Sequence, residues 1–374
     1  MVFRLGWVTA IVLGCNLMPI LMPAVPTTQP LLPRAVAQSA QAQLAEAAQF
    51  LEQGIQQFNM SRYREAIQSW QQVLEICRDA NVRQAYPQAS LGGEAWALNN
   101  LATAYFSLSQ YQTAIDALEQ SLPLFREVGA RDGEASALNN LGLAYSALGQ
   151  FQVAIEYYEQ AFPIFREMED RGGEAKALNN LGIAYRGLKQ DRDAINYYEQ
   201  ALPIFREVGD RNGEAKALMN LGEAYLGLEQ YQQVINYQQQ ALPIYRQLSD
   251  RNGAAKALTN LGIAYSHLSQ YQQAIDYYQQ ALPLLREVGD RASEGLLLAN
   301  IGRLYRMQNS PVSAIQQLQK SVEVREAIRA DLRGLPQADQ QAYTNSIADD
   351  YRLLADLLRQ QNRDQEAQAV LDLL

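Results

Sequence analysis

The chain has 374 residues, of which 48% are hydrophobic and 19% charged, and its formal net charge is −9. This composition excludes a disordered or collagen-like chain, and the acidic balance argues against binding to nucleic acid or to anionic membranes by the chain as a whole. The cysteines, Cys15 and Cys77, and the single histidine, His267, are too few for a Cys/His zinc cluster or a disulfide framework. The composition therefore favours a protein that is not an enzyme and holds no metal or cofactor.

The first predicted element is an apolar segment over residues 1–25, in which Arg4 is the only charge. Together with the small residues of Ala35-Val36-Ala37, it has the basic, apolar and cleavage regions of a secretory signal peptide. We therefore predict that residues 1–37 are a signal peptide and that the protein is exported to the periplasm or the extracellular space. The alternatives are an uncleaved N-terminal membrane anchor and a lipoprotein attached through Cys15.

Residues 38–94 are predicted to form a helix pair that caps the array, followed by a long connection. This first pair begins near Ala47 and carries Glu52 and Gln53 where the later repeats have Asn and Leu. We expect Trp70 to close this end of the core.

From residue 95 to residue 321 the sequence repeats every 40 residues, in strings such as ALNNLGLAY at 137–145, ALNNLGIAY at 177–185 and ALMNLGEAY at 217–225. Each repeat contains two patterns with apolar residues at helical spacing, which we call its first and second helix. Because one such pair cannot bury its apolar face alone, the pairs must stack on one another. The sequence thus predicts an all-α fold, an α-solenoid of stacked antiparallel helix pairs.

A glycine recurs in the first helix of five repeats, although glycine inside a helix costs about 1 kcal/mol relative to alanine. We therefore expect the partner helix to approach these positions too closely for a side chain, with alanines of the second helix, such as Ala154 and Ala194, as the opposing surface. The glycines are Gly142, Gly182, Gly222, Gly262 and Gly302.

A proline recurs inside each second pattern, at Pro123, Pro163, Pro203, Pro243 and Pro283. Proline removes one backbone hydrogen bond and clashes with the preceding turn, so we expect a kink at each of these positions. The alternative is that the second helix ends before the proline and a short third helix follows.

One recognisable pattern spans the two helices of a repeat. It consists of Leu181, Gly182 and Tyr185 in a first helix and of Ala194 and Tyr198 in the second helix that follows. In this pattern the repeat resembles the tetratricopeptide repeat family, in the longer 40-residue form found in kinesin light chains. The resemblance implies a right-handed superhelix whose concave groove binds a protein or peptide partner.

After residue 321 the 40-residue step is lost. Val322–Leu332 predicts an extended helix, Gly334-Leu335-Pro336 ends it, and Asp339–Gln360 predicts a further long helix, so that residues 322–374 form an irregular C-terminal region. This region resembles the stretch that joins tetratricopeptide arrays to a CHAT peptidase domain in bacterial proteins. The resemblance implies a chain that corresponds to the recognition half of such a protein without its peptidase.

The candidate partner-binding residues lie on the face of each first helix opposite its packed residues. Counting from position 1 at Ala95, Ala135, Ala175, Ala215, Ala255 and Gly295, this face has positions 2, 5, 6, 9, 12 and 13. Position 6 is asparagine in all six repeats: Asn100, Asn140, Asn180, Asn220, Asn260 and Asn300. Position 5 is asparagine in three: Asn99, Asn139 and Asn179.

A row of carboxamides can both donate to and accept from the backbone of an extended peptide. We therefore predict that these asparagines bind a peptide, the alternative being that each bonds the neighbouring helix and sets the stacking of repeats. Five basic residues lie near this row: Lys176, Lys216, Lys256, Arg186 and Arg303. They predict a partner with acidic groups, the alternative being that they only form the solvated rim of the groove.

Adjacent tyrosines such as Tyr157-Tyr158 and Tyr197-Tyr198 are interpreted as packing between helices, so no nucleic-acid partner is predicted. The sequence as a whole predicts an exported scaffold for protein–protein interaction, which meets a membrane only if its N-terminal segment stays uncleaved. The alternatives are the regulatory half of a CHAT-type peptidase system and a self-assembling structural module.

Overall fold

The computed structural model describes residues 33–334 and 336–374, and all regular elements in this part of the chain are helices. The helices are α1 (Arg34–Asn59), α2 (Tyr63–Arg78), α3 (Ala80–Ala85), α4 (Pro87–Ser107), α5 (Tyr111–Glu127), α6 (Arg131–Ala147), α7 (Phe151–Glu167), α8 (Arg171–Gly187), α9 (Asp191–Glu207), α10 (Arg211–Gly227), α11 (Tyr231–Gln247), α12 (Arg251–His267), α13 (Tyr271–Val288), α14 (Arg291–Met307), α15 (Pro311–Asp331), α16 (Gln337–Gln360) and α17 (Asp364–Leu371). A single 3-10 turn, Leu332–Gly334, precedes α16.

Contacts between residues divide the chain into two compact units, which we call the N-terminal unit (Met1–Ile204) and the C-terminal unit (Phe205–Leu374). In the N-terminal unit α1 packs on α2, α2 packs on α4, and each helix from α4 to α7 packs on its successor. In the C-terminal unit the same succession runs from α10 to α17. This succession of packed helix pairs confirms the predicted all-α solenoid class. The first helices of the repeats are α4, α6, α8, α10, α12 and α14.

The turns between repeats follow the predicted capping chemistry. The side chain of Asp210 accepts a hydrogen bond from the backbone N–H of Gly213 at 2.8 Å, and Asp170 accepts one from Gly173 at 3.1 Å. Gly209 has a φ of 71°, a left-handed conformation that lets the preceding helix end there at little cost. Gly209 and Asp210 therefore fix the boundary between their two repeats, whereas Glu169 takes the left-handed conformation before Asp170.

The glycine of each first helix lies against a large side chain of the second helix. A Cβ atom on Gly142 or Gly182 would lie 2.4 Å from the ring of Tyr158 or Tyr198, respectively. The predicted close approach is confirmed, but the opposing group is a buried tyrosine ring and not an alanine surface. The missing side chain is what makes room for the ring.

Each repeated proline lies inside a continuous helix. Pro123 is within α5 and Pro163 is within α7, and the apolar face continues past both, since Phe125 and Phe165 are buried. The alternative in which the second helix ends before its proline is therefore wrong. A kink at these positions stays a prediction.

The N-terminal end contains more helix than the sequence predicted. The long connection expected before Ala95 is largely helical, in α3 and the first turns of α4, because the Asp79 carboxylate caps α3 and Pro87 begins α4. Trp70 is fully buried, and its indole N–H donates to the carbonyl of Leu51 at 3.2 Å, so it closes this end as predicted.

The predicted signal peptide falls mostly on residues 1–32, which lie outside the described residues. Its small-residue motif, Ala35-Val36-Ala37, lies in the first turn of α1. No helix in the part of the chain that the structure describes has the length and apolar character to cross a membrane. At the other end, α15, the 3-10 turn and α16 confirm the predicted extended helix, break and long helix.

Candidate interaction surface

In the N-terminal unit the first-helix face consists of the six stated positions of α4, α6 and α8. Their only charged side chains are Lys176 and Arg186, both on α8. The positions are Trp96, Asn99, Asn100, Thr103, Phe106 and Ser107 of α4, Ser136, Asn139, Asn140, Leu143, Ser146 and Ala147 of α6, and Lys176, Asn179, Asn180, Ile183, Arg186 and Gly187 of α8.

Carboxamides of successive repeats bond each other in this unit. The Nδ2 of Asn140 donates to the Oδ1 of Asn99 at 3.1 Å, and the Nδ2 of Asn180 donates to the Oδ1 of Asn139 at 3.1 Å. Position 6 of one repeat therefore bonds position 5 of the repeat before it. These bonds are the stacking role that the sequence left open as an alternative, and they use one amide hydrogen of each donor.

Asn100 differs because the helix pair before it has no asparagine at the matching position. Its side chain is buried, and its Oδ1 has no hydrogen-bond partner among the described residues. Asn179 is also buried, whereas Asn139, Asn140 and Asn180 are half-buried.

The C-terminal unit has the same position-6 asparagines but different neighbours at position 5, which are Met219, Thr259 and Ala299. The hydroxyl of Thr259 donates to the carbonyl of Ala255, within its own helix. The Nδ2 of Asn260 is buried without a partner among the described residues. Asn220, Asn260 and Asn300 are all half-buried.

The five basic candidates do not share one environment. Lys216 and Lys256 are exposed and Lys176 is half-buried, and none of the three forms an ion pair in the described part of the chain. Arg186 lines a pocket of the N-terminal unit. Arg303 instead points its guanidinium at other groups of the chain: it donates to the Oδ1 of Asn300 at 2.9 Å and forms an ion pair with the buried carboxylate of Asp350.

Two adjoining pockets open on the first-helix face of the N-terminal unit. The first has a volume of about 200 Å³ and is lined by Phe58, Ala102, Thr103, Phe106, Ser107, Ala114, Leu118, Asn140 and Leu143. The second has a volume of about 460 Å³ and is lined by Phe106, Leu143, Ser146, Ala147, Phe151, Ile183, Arg186 and Gly187. The side chains of Phe106 and Leu143 belong to both, so the two pockets share a wall.

A buried carboxylate near the start of most first helices was not recognised from the sequence as an ion-pair site. Glu134 is 7% exposed, and its two oxygens accept from Arg126 at 2.8 Å and Arg131 at 2.5 Å. Burial alone would raise the pKa of Glu134, but the two guanidinium groups outweigh it and lower this pKa. The signal in the sequence was the arginine that recurs eight residues before this glutamate, as at Arg126, Arg206 and Arg286.

The same position is a buried, arginine-paired glutamate in four other repeats, as Glu94, Glu174, Glu214 and Glu294. Only the α12 repeat differs, with Ala254 at this position. The pairs of Arg126 with Glu134, Arg206 with Glu214 and Arg286 with Glu294 join the second helix of one repeat to the first helix of the next, whereas the pair of Arg171 with Glu174 lies within one helix.

The tyrosines pack between helices, as predicted. Tyr145 stacks on Tyr157 with ring centroids 5.4 Å apart, while the adjacent Tyr158 lies under Gly142. His267 stacks on Tyr231 at 4.5 Å.

The structure also places the remaining thiol. Cys77 is buried, and burial, together with the charge of Glu94, raises the pKa of its thiol to about 12. Among residues 33–334 and 336–374, no group of three His, Cys, Asp or Glu side chains is placed to hold a metal ion.

Solved structures of similar fold include a signal transduction ATPase with numerous domains that has a tetratricopeptide repeat sensor, from Pyrococcus horikoshii. It is 15% identical, with a TM-score of 0.62, and the match covers 91% of this chain and 52% of that chain. Aspartyl phosphate phosphatase F from Bacillus subtilis is 15% identical, with a TM-score of 0.55, over 77% of this chain and 72% of that chain.

A Rap protein complexed with competence and sporulation factor is 14% identical, with a TM-score of 0.51, over 89% of this chain and 99% of that chain. At these identities the likeness concerns the fold. A search of curated proteins finds no match.

The family model described as "Tetratricopeptide repeat" matches residues 93–167, 169–247 and 253–327. Together these segments are more than half of the chain, and they coincide with the helix pairs α4 to α15. The chain therefore belongs to the tetratricopeptide repeat family.

Proposed function

We propose that the protein is an exported, non-enzymatic scaffold that binds an extended peptide or protein segment on the first-helix face of its repeats. The observation that carries this proposal is the polar row on a half-buried face. Asn140 uses one amide hydrogen for Asn99 and keeps its Oδ1, which has no partner among the described residues. A carboxamide in this state can still accept from the backbone of a bound peptide.

A structure of similar fold that contains a bound partner supports the proposal that this chain binds a partner. The Rap structure is of a protein complexed with competence and sporulation factor. The lysines Lys176, Lys216 and Lys256, which form no ion pair with any residue that the structure describes, favour an acidic partner.

The positions of the cysteine and histidine side chains support the proposal that the chain is not an enzyme. A cysteine nucleophile needs an accessible thiolate and a base. Cys77 is buried with a raised pKa and His267 is stacked on Tyr231, in separate units of the chain. Cys15 lies outside the described residues.

Export is proposed from the apolar segment with Arg4 and from Ala35-Val36-Ala37. Cleavage after Ala37 would remove the first turn of α1 and leave the rest of that helix unchanged. N-terminal sequencing of the protein from its own cells should begin near Gln38. An intact Met1 in a soluble cytoplasmic fraction would contradict export.

The regulatory half of a CHAT-type peptidase system stays an alternative, and a CHAT peptidase that co-purifies with the chain would favour it. Self-assembly also stays an alternative, and light scattering that shows a mass well above one chain would favour it.

Peptide binding can be tested with a phage-displayed library of short random peptides selected on the full chain. A selected peptide, labelled with a fluorophore, should bind the wild type, and binding should weaken when Lys176, Lys216 and Lys256 are replaced by alanine. The difference should shrink at high salt, because exposed charges are screened within about 10 Å at 0.1 M.

The matching asparagine variant replaces Asn140, Asn180 and Asn220 by alanine, and circular dichroism gives its folded fraction. Each lost bond is worth about 0.5–1.5 kcal/mol, so the triple variant should bind at least tenfold more weakly while it is folded. Failure to select any peptide would overturn the proposed function.

A further inference from the structure

The two pockets of the N-terminal unit form one continuous apolar strip, which we define by Phe58, Phe106, Leu143, Phe151 and Ile183. Three of these side chains are phenyl rings and two are aliphatic. Phe106, Leu143 and Ile183, at positions 9 and 12 of the first-helix face, are only half-buried. Phe106 and Leu143 pack on one side against neighbouring core residues, and the rest of each side chain stays open. Apolar side chains held open in this way can bury the side chains of a ligand.

The same positions in the C-terminal unit have a different chemistry. Position 9 is Glu223, Ile263 and Arg303 in its three repeats, and position 12 is Leu226, Ser266 and Arg306. The apolar strip is therefore a property of the N-terminal unit and not of the repeat pattern.

The charged residues beside the strip indicate in which direction a bound segment lies. The first-helix face of α4, α6 and α8 contains no acidic residue, and its two charged residues, Lys176 and Arg186, are both cationic and both on α8. The chain as a whole has a net charge of −9, so this basic end differs in sign from its surroundings. A bound segment should therefore place apolar side chains near α4 and α6 and an acidic side chain near α8.

The spacing of the pockets indicates the spacing of the ligand's side chains. One pocket lies between α4 and α6 and the other between α6 and α8, so they are one helix spacing apart. Packed helices are about 8–10 Å apart. An extended polyproline-II peptide advances about 3.1 Å per residue with three residues per turn, so side chains i and i+3 point to the same side about 9 Å apart.

We propose that the N-terminal unit binds an extended peptide segment that has two large apolar side chains at positions i and i+3 and an acidic residue beyond the one that lies nearer α8. This inference rests on the proposed function, because it names the chemistry of the ligand for the same face. The apolar pair supplies most of the affinity, and the acidic residue sets the direction in which the segment lies.

The experiment uses the peptides selected on the full chain from the random library. They should be enriched in Leu, Ile, Met or Phe at two positions three apart, with Asp or Glu on one side. A labelled peptide of this kind should bind Leu143→Gln at least about tenfold more weakly than the wild type, since burial of a leucine side chain corresponds to roughly one to two factors of ten in affinity.

The chain offers a matched control in Ile263→Gln, since Ile263 is a half-buried aliphatic residue at the same position 9 in the C-terminal unit. It should change the affinity by less than about twofold, while its effect on folding matches that of Leu143→Gln. A second variant, Ala147→Leu, fills the larger pocket from an exposed position and should also weaken binding without loss of core packing.

The outcomes separate the two proposals. Peptides that bind the folded chain but lack the apolar pair, or bind Leu143→Gln and Ala147→Leu as tightly as the wild type, would overturn this inference and leave the proposed function intact. If no peptide is selected, both are wrong. If the affinity falls equally for Leu143→Gln and Ile263→Gln, the strip is not the binding site.

Discussion

The two units carry the same asparagine at position 6, yet they satisfy its side chain differently. In the N-terminal unit Asn140 donates to Asn99 of the preceding repeat at 3.1 Å. In the C-terminal unit the position that should accept from Asn260 is Met219, and the Nδ2 of Asn260 is buried without a partner among the described residues. An asparagine in this fold thus stabilises stacking only where the previous repeat supplies a second carboxamide.

A second difference concerns the residue that faces the helix glycine. Gly182 in the N-terminal unit faces the ring of Tyr198, and Gly262 in the C-terminal unit faces that of Tyr278, whereas Gly222 in the C-terminal unit faces Gln238. Gln238 is fully buried; its Nε2 donates to the carbonyl of Met219 at 3.1 Å, but its Oε1 has no partner among the described residues. A buried polar atom without a partner costs about 1–3 kcal/mol, so we expect the α10–α12 region to be less stable than the α6–α8 region.

The largest expected effect tests the glycine contacts. Gly182→Ala places a Cβ 2.4 Å from a buried ring that cannot move freely, and it should lower the free energy of unfolding by about 2–3 kcal/mol. Gly222→Ala should cost less, because the end of the Gln238 side chain can rotate away. Urea unfolding followed by circular dichroism measures both.

Alanine has a higher helix propensity than glycine by about 1 kcal/mol at either site, so the difference between the two variants reports the neighbouring side chain. Equal losses for Gly182→Ala and Gly222→Ala would show that ring packing does not set the requirement for glycine.

The next effect tests the asparagine bonds directly. Asn140→Ala leaves the Oδ1 of buried Asn99 without its donor and should cost about 1–2 kcal/mol. Asn260→Ala removes a buried donor that has no partner within the described part of the chain, so it should be neutral or stabilise by up to about 1 kcal/mol. Thermal unfolding of the two variants, measured side by side, gives the comparison.

A double-mutant cycle with Asn99→Ala and Asn140→Ala isolates the bond itself and should give a coupling of about 0.5–1.5 kcal/mol. A coupling near zero, or a loss at Asn260 as large as that at Asn140, would contradict the difference between the units.

The smallest effect concerns the buried carboxylates, which the N-terminal unit has in every repeat and the C-terminal unit lacks at Ala254. Because ion pairing lowers the pKa of Glu134 in the folded state, its stabilisation is present above the unfolded-state value of about 4.3 and is lost as the pH falls through the folded-state pKa. Glu134→Gln should therefore cost about 1 kcal/mol at neutral pH and progressively less at acidic pH.

The control is Asp132→Asn, in the same helical turn, since Asp132 forms no ion pair in the described part of the chain. Urea unfolding at neutral and acidic pH should show a pH-dependent difference from the wild type for Glu134→Gln only. A difference for Glu134→Gln that stays constant down to acidic pH would rule out the ion pairs as its source.

The sequence predicted the helices and their pairing because both follow from local rules repeated many times. Leu138 and Leu141 recur at helical spacing, and Gly209-Asp210 marks a turn by its own backbone and capping chemistry. The close approach at Gly182 was also predictable, because glycine is costly in a helix without a packing reason. Its partner was not, since Tyr198 had been assigned only to general packing between helices.

The pairing of the polar side chains was harder to predict, because it depends on which residue faces which across repeats. Asn140 and Asn99 are 41 residues apart, and neither position alone shows that the two amides meet. Arg303 forms an ion pair with Asp350 of α16, which also pairs with Arg325. Because α16 lies outside the regular repeats, no periodic pattern could have indicated this contact. The apolar strip requires Phe58 from the irregular first helix pair.

The asparagine bonds run in one direction, from position 6 of a repeat to position 5 of its predecessor. A substitution at position 5 therefore leaves its own repeat intact and removes the acceptor of the repeat that follows, as Met219 does for Asn260. The repeats are consequently not interchangeable. Whether one repeat can be transplanted or duplicated depends on the position-5 residue of the repeat that precedes it. The boundaries of an engineered array should therefore keep both asparagines of each bonded pair.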